Sequence, residues 1–300
     1  MSNMQEVRGT QSFVHVMSAV WRRPSVTALE IFWRWMIGAP ILAMVLHEAM
    51  RVAHGTTLDQ AALQAMTVIQ PVNVFRTIHA AVVTIFPVVR PIGLWMIPTT
   101  IGAWLLGSAV GRTAVLRRLD SSLHARPLTV LVLGSMRAAL LAAFWLIWIW
   151  LVVQSGRIAI MGPAAQGGEP NLVLYCAMLI CGTLILYALW GVISWPLYLA
   201  PLLAMKRNLG PLAALNTGFR STAARGKLIE INLVMNIVRI ALIVLAMVFS
   251  ASPLPFSNVE TQTFLNCWWA GVILIYLAMS DYFHVVRSAA YLSIWCAFQP

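Results

Sequence analysis

Acidic residues are scarce in this 300-residue chain: nine Asp and Glu stand against twenty Lys and Arg, a formal net charge of +11. Charge of either sign is thin, at 10% of residues, while 60% are hydrophobic and the mean hydropathy is +0.82. That balance excludes a soluble domain. Cysteine is sparse too. Cys176, Cys181, Cys267 and Cys296 form no CxxC pair and supply neither a disulfide framework nor a zinc site. The sequence also lacks a P-loop and a paired-glycine nucleotide fingerprint, and His47-Glu48 is not followed by a second histidine at the spacing of a zincin helix. No Ser or Cys nucleophile has an identifiable base beside it. No catalytic residue, cofactor or metal is therefore expected, and a non-catalytic protein is the reading.

What the chain has in abundance is long apolar runs, at 26–48, 79–109, 128–154, 171–204, 229–250 and 264–284. Each is near or above the roughly 20 residues that cross a bilayer as a helix. They are too long and uninterrupted for barrel strands of ~10 alternating residues. The expected fold is all-α: a polytopic membrane protein of six transmembrane helices with interfacial amphipathic helices. The expected division is a cytoplasmic arm over 1–25 and a single six-helix domain over 26–300.

Basic residues set the orientation, because cytoplasmic loops carry the excess of Lys and Arg. They gather in the N-terminal arm (Arg8, Arg22, Arg23), the second loop (Arg112, Arg117, Arg118, Arg126), the fourth loop (Lys206, Arg207, Arg220, Arg225, Lys227) and at Arg287. The intervening loops hold only Arg51, Arg76 and Arg157. Both termini are therefore expected on the cytoplasmic side of a cell inner membrane. The first 23 residues have no apolar core or cleavage site, so the first span is expected to act as an uncleaved anchor. Attraction of these loops to anionic lipid headgroups accounts for the net charge, and nucleic acid is not an expected partner. With only two lysines, Lys206 and Lys227, the basic residues are otherwise arginine, as in a GC-rich bacterial coding sequence.

Four arginines fall inside the apolar runs: Arg34, Arg90, Arg137 and Arg239. An ionisable group at that depth costs about 2.5–3.5 kcal/mol even on the lenient insertion scale and marks a functional site by default. Few acids stand near them, chiefly Glu30 and Glu230. Glu30 and Arg34 are four residues apart and meet on one helical face. Glu230 and Arg239 are nine apart and cannot pair directly. Arg90, Arg137 and Arg239 are thus the candidate anion-binding residues, and Glu30, Arg34 and Glu230 the candidate embedded charge-pairing group. Guanidinium suits phosphate, carboxylate or lipid headgroups through paired hydrogen bonds.

Position along the chain adds detail. Arg23-Pro24 precedes Arg34, and Arg126-Pro127 precedes Arg137, by the same intervals, and Lys227 stands in the corresponding place before Arg239. This spacing predicts a three-hairpin pseudo-repeat, each arginine ~15 Å along its helix. Pro87, Pro91 and Pro98 interrupt the second run, predicting a broken or kinked helix with Arg90 beside the kink, either lining a cavity or pairing with a neighbouring helix or a freed carbonyl. His47, Arg51 and His54 share a face at the outer end of the first span, with His79 opening the second; hydrogen bonding to water and lipid at the interface is the expected role. Trp33 and Trp35 flank Arg34, and because sequence neighbours point apart, a cation–ring contact is expected only from another span. Trp145, Trp148, Trp150, Trp268 and Trp269 fit an aromatic belt. Residues 11–21 read as an amphipathic helix with Phe13, Met17 and Val20 on one side. Pro211–Arg225 reads as another, ended by Gly226. Thr57 and Gln60 read as a capping box for a helix through Ile69.

The run GPLAALNTGFRSTAARGKLIEINLVMNIV before the fifth span, with its basic elbows, resembles bacterial membrane domains grouped with the membrane domain of glycerophosphodiester phosphodiesterases. Ala214-Leu215, Arg225 and Gly226 match that group's pattern, while Gly218 stands where its serine falls. The resemblance implies a six-helix membrane domain and carries over no catalytic residue. Two functions follow from the residues. One is an accessory or scaffold subunit of a membrane complex, its arginines pairing internally or with a protein partner's acids. The other is binding or transport of an anionic amphiphile such as a phospholipid.

Overall fold

The computed structural model describes residues 9–56, 71–220, 222–251 and 261–297. The regular elements are α1 (Gly9–Trp21), α2 (Pro24–Gly55), α3 (Pro71–Leu119), α4 (Pro127–Gly156), a π-helical turn (Arg157–Met161), the short α5 (Gly162–Ala165), α6 (Leu172–Ile193), α7 (Trp195–Lys206), α8 (Pro211–Arg220), α9 (Thr222–Ala251) and α10 (Gln262–Ala297). No strand occurs among the described residues. Among the described residues, six helical stretches are long and apolar enough to cross a membrane: Pro24–Gly55, Ala80–Leu119, Pro127–Ala165, Leu172–Lys206, Arg225–Ala251 and Gln262–Ala297. The chain is a multi-pass helical membrane protein. Large apolar side chains crowd the helix exteriors, among them Leu94, Leu146, Leu184 and Ile275. Water would oppose so much exposed apolar surface, and lipid accepts it.

Local sequence explains most boundaries. Pro24 and Pro127 open α2 and α4, where a missing N–H costs nothing. Two helices outrun their apolar stretches: α3 continues through Arg112, Arg117 and Arg118, and α10 continues through Arg287. Two expectations are corrected. The prolines do not break α3, which is one continuous helix from Pro71 to Leu119. Pro87, Pro91 and Pro98 are spaced by four and seven residues, so the lost hydrogen bonds share one face and the opposite face holds the helix together. Gly226 does not end the amphipathic stretch; it lies inside α9, where a glycine penalty of about 1 kcal/mol is small against the span it helps start. The break in a spanning segment falls instead at Ser194, between α6 and α7. Pro196 cannot donate to the preceding turn, and Asn232 of α9 donates from Nδ2 to the Gly191 carbonyl (2.6 Å) and to Ser194 Oγ (3.1 Å). The proposed helix from Thr57 through Ile69 lies outside the described residues.

The chain clusters into two compact units. The first comprises residues 1–35, 107–136 and 191–300. Its core is α7, buried from Trp195 to Met205, together with Leu116, Leu133, Ala214, Leu228, Tyr291 and Trp295. α8 turns Ala214 and Leu215 inward and leaves Leu212 and Phe219 exposed, the pattern of an interfacial helix. α1 buries Val16 and Val20, and Tyr282 of α10 donates from its hydroxyl to the Met17 carbonyl. The longest pairing in this unit is between α9 and α10. Where α9 ends and α10 begins, Trp268 and Trp269 donate to the Phe249 and Ser250 carbonyls, satisfying acceptors at the end of α9. The second unit comprises residues 36–106 and 137–190. There α4 and α6 approach closely: a Cβ on Gly182 would fall 2.3 Å from Leu151 Cδ2, and Trp148 Nε1 donates to Thr183 Oγ1 (3.1 Å). Small residues at such crossings are the usual means of packing helices in lipid.

Candidate functional site

Glu30 and Arg34 do meet on α2, with Arg34 Nε 2.6 Å from Glu30 Oε1. The helical spacing brings them together, and a second anion joins them from α10: Arg34 Nη1 donates to Asp281 Oδ1 at 2.9 Å. Two tryptophans lock these carboxylates. Trp33 Nε1 donates to Glu30 Oε2 (2.8 Å), and Trp35 Nε1 donates to Asp281 Oδ2 (3.1 Å). His284 closes the cluster, its Nδ1 2.9 Å from Glu30 Oε1. Glu30, Asp281 and His284 are all buried.

This arrangement corrects the expectation about rings near Arg34. The Arg34 guanidinium carbon lies 5.4 Å from the centroid of its own neighbour, Trp33. Glu30 is the cause, since both the Trp33 indole and the Arg34 guanidinium converge on its carboxylate. Room for Trp33 comes from α3, where Gly111 faces the indole so closely that a Cβ would lie 2.3 Å from its Cδ2.

Beside the cluster, α9 and α10 enclose a cleft. Met235, Arg239 and Leu242 line it from α9, and Tyr276, Ser280, Phe283, His284 and Arg287 from α10. Both sets follow helical periodicity, so each helix presents one continuous stripe. Arg287 and His284 are buried and form the floor, while Arg239, Tyr276, Ser280 and Phe283 are half-buried and form the rim. The free volume is about 10 Å³, room for roughly one water, so a larger group enters by parting the rim.

The electrostatics of the cleft are one-sided. Arg287 is only 4% exposed, yet its Nε and Nη1 have no hydrogen-bond partner among the described residues. The guanidinium carbon lies 4.6 Å from the ring centroid of Tyr198 of α7. That contact is worth about 0.5–2 kcal/mol, against a penalty of several kcal/mol for a buried charge without an anion. Arg239 has no ion pair or hydrogen bond among the described residues. Glu30 and Asp281 are both engaged by Arg34. Arg112 of α3 adds a further positive charge within electrostatic reach of His284. The cleft therefore has donors and positive charge to spare, beside apolar side chains.

The other expected residues are dispersed. Arg137 is half-buried and already engaged, and it belongs to the second unit. Arg90 is exposed on α3 in that same unit. A groove of about 440 Å³ does open beside Pro91, lined by Arg51, Val52, Gly55, Val88, Ile92 and Trp95, but Arg90 is not part of its lining. Arg51 contacts Glu48 at 3.3 Å, and His54 Nδ1 lies 2.7 Å from the Met50 carbonyl. Glu230 is exposed at the start of α9. His47 is exposed, and the side chain of His79 lies outside those described.

Sequence reading did not single out Asp281, His284 or Arg287 as site residues. Each sits at or beyond the point where the last apolar run fades, and Arg287 reads as a loop residue there. The available signal was their spacing: 281, 284 and 287 recur at helical intervals with Tyr276 and Ser280 before them. Comparison of the chain with protein-family models, with curated proteins and with solved structures finds no match.

Proposed function

We propose that this protein is a non-catalytic binding or transport protein of the cell inner membrane. Its proposed ligand is the anionic headgroup of an amphiphile such as a phospholipid, held at Arg239 and Arg287. The observation that carries this reading is the buried Arg287, whose Nε and Nη1 lack hydrogen-bond partners among the described residues and which lines a cleft together with Arg239. A phosphate or similar oxyanion supplies what both guanidiniums lack. Met235, Leu242 and Phe283 in the same cleft suit an amphiphile better than a freely hydrated ion. In the proposed orientation both termini are cytoplasmic, on the side of the basic loops.

The test is native mass spectrometry and titration calorimetry on protein extracted in a maltoside detergent. Dihexanoyl phosphatidylglycerol, dihexanoyl phosphatidylcholine and inorganic phosphate serve as probes. Binding of phosphatidylglycerol alone identifies a lipid headgroup, and binding of phosphate alone identifies a free anion. Replacing either Arg239→Leu or Arg287→Leu is expected to weaken binding about tenfold to a hundredfold, the loss of one charge-assisted interaction. Unchanged binding in both variants would sink the assignment.

An accessory role, with embedded arginines meeting the acids of a partner subunit, is favoured by a different residue. Arg90 is exposed on a spanning helix and has no ion pair or hydrogen bond among the described residues. Stoichiometric co-purification of a membrane subunit that is lost on Arg90→Leu would establish that reading instead.

A further inference from the structure

His284 belongs to both halves of the site. Its Nδ1 lies 2.9 Å from Glu30 Oε1, and its ring lines the cleft with Arg239 and Arg287. With Nδ1 2.9 Å from the carboxylate oxygen, Nε2 is the ring nitrogen away from that contact. In the neutral tautomer that keeps its proton on Nδ1, on the side of Glu30, Nε2 carries a lone pair and can only accept. An anion's oxygen needs the opposite, an N–H donor. A proton on Nε2 changes the ring from an acceptor into a second donor and adds positive charge beside the two guanidiniums.

We propose that the site binds its anion together with one proton, which is taken from solvent and carried on His284 Nε2. The inference rests on the anion-binding reading above and gives that site its coupling ion. The groups around the ring explain why the two ligands need each other. From α2 come Glu30 and Arg34, from α3 Arg112, from α9 Arg239, and from α10 Asp281, Tyr276 and Arg287. On α1 the titratable group is His15, which is exposed, and α7 contributes Tyr198, over whose ring Arg287 lies. Glu30 must already serve Arg34 as well as His284, and Asp281 is bonded to Arg34 and Trp35. An imidazolium unaccompanied by an anion therefore adds a positive charge to a site with guanidiniums in excess. The bound anion offsets that charge, and the proton in turn supplies the anion with a further donor. Linkage requires each to strengthen the binding of the other by the same factor.

The proposal makes proton uptake a property of ligand binding, measurable on the unmodified protein. Titration calorimetry with dihexanoyl phosphatidylglycerol, whose phosphodiester does not titrate near neutrality, is run in buffers of different ionisation enthalpy. The slope of apparent heat against buffer enthalpy gives the protons taken up per lipid. The expected result is uptake approaching one proton at neutral to mildly alkaline pH, with affinity falling by up to about tenfold per pH unit. His284→Gln is expected to keep weaker, pH-independent binding with no proton uptake. Binding by the wild type with no proton exchange overturns the coupling and leaves the anion site standing. Wild-type binding with unchanged proton uptake in His284→Gln overturns the assignment to this residue. Failure of the wild type to bind any of the anionic probes overturns the anion reading and the coupling with it. Should His284→Gln fail to fold, the wild-type slope still decides whether a proton is taken up, and His284→Asn tests the assignment to this residue in its place.

Discussion

Gly111 is fixed by its neighbour: any Cβ there would overlap the Trp33 indole, which itself holds Glu30. Gly111→Ala is therefore expected to lower stability by about 1–3 kcal/mol, the usual cost of overpacking, read as a drop in melting temperature in detergent. Asp281→Asn removes one of the two anions that hold Arg34. Glu30 still partners the guanidinium, so the expected loss is about 1–3 kcal/mol rather than that of a fully orphaned charge. Outside the spanning segments, Asp120 accepts from Lys206 Nζ (2.9 Å) and from the Ser122 backbone N–H (2.9 Å). The Lys206 hydrogen bond, with help from Ser122, holds the Asp120 carboxyl down to about 2. An unfolded Asp titrates near 3.9, so this stabilisation is complete above about pH 4 and is lost as pH falls toward 2. Thermal melts across that window should show Asp120→Asn destabilised at the upper end and level with wild type at the lower.

Among the elements, α3 and the α6–α7 pair treat proline differently. α3 carries three internal prolines and stays continuous, whereas the segment with Pro196 breaks at Ser194. The difference lies in the neighbour: Asn232 of α9 supplies donors for the Gly191 carbonyl and Ser194 Oγ at the break. Asn232→Leu leaves both without that donor in a fully buried position and is expected to cost about 1–3 kcal/mol. Pro98→Ala, on an exposed face of a helix that is already continuous, is expected to leave the melting temperature unchanged or raise it. Denaturation of the two variants side by side checks both statements.

For the whole molecule, six spanning segments among the described residues, an even number, go with the proposal that both ends of the chain lie on one side of the membrane. The proposed orientation puts that side in the cytoplasm. Reporter fusions check it: a fluorescent protein joined after the last residue should fold and fluoresce, and alkaline phosphatase inserted at Gly167, between α5 and α6, should be active. An active phosphatase at the C-terminus would reverse the orientation and place the His284 cleft nearer the opposite face. α10 runs ten residues beyond Arg287, which sets the floor of the cleft ~15 Å from that end of the helix.

The helical class, the number of spans and the pairing of Glu30 with Arg34 were legible in the sequence because each depends on local spacing. Apolar run length defines a span, and a separation of four residues places two side chains on one turn-and-a-bit of helix. Pro24 and Pro127 marked helix starts for the same reason. The composition of the site was not local. Asp281 reaches Arg34 across 247 residues of chain, and Arg287 was hidden because hydropathy ends a span where charge begins, whereas the helix itself continues. Arg90, Arg137 and Arg239 look alike as embedded arginines. Only packing separates them, placing Arg239 beside His284 and Arg287 and leaving Arg90 and Arg137 in the other unit. The sequence determined that charge is buried in the membrane; the tertiary structure decided which charges meet, because ion pairing acts over a few ångströms and its partners are chosen by helix packing.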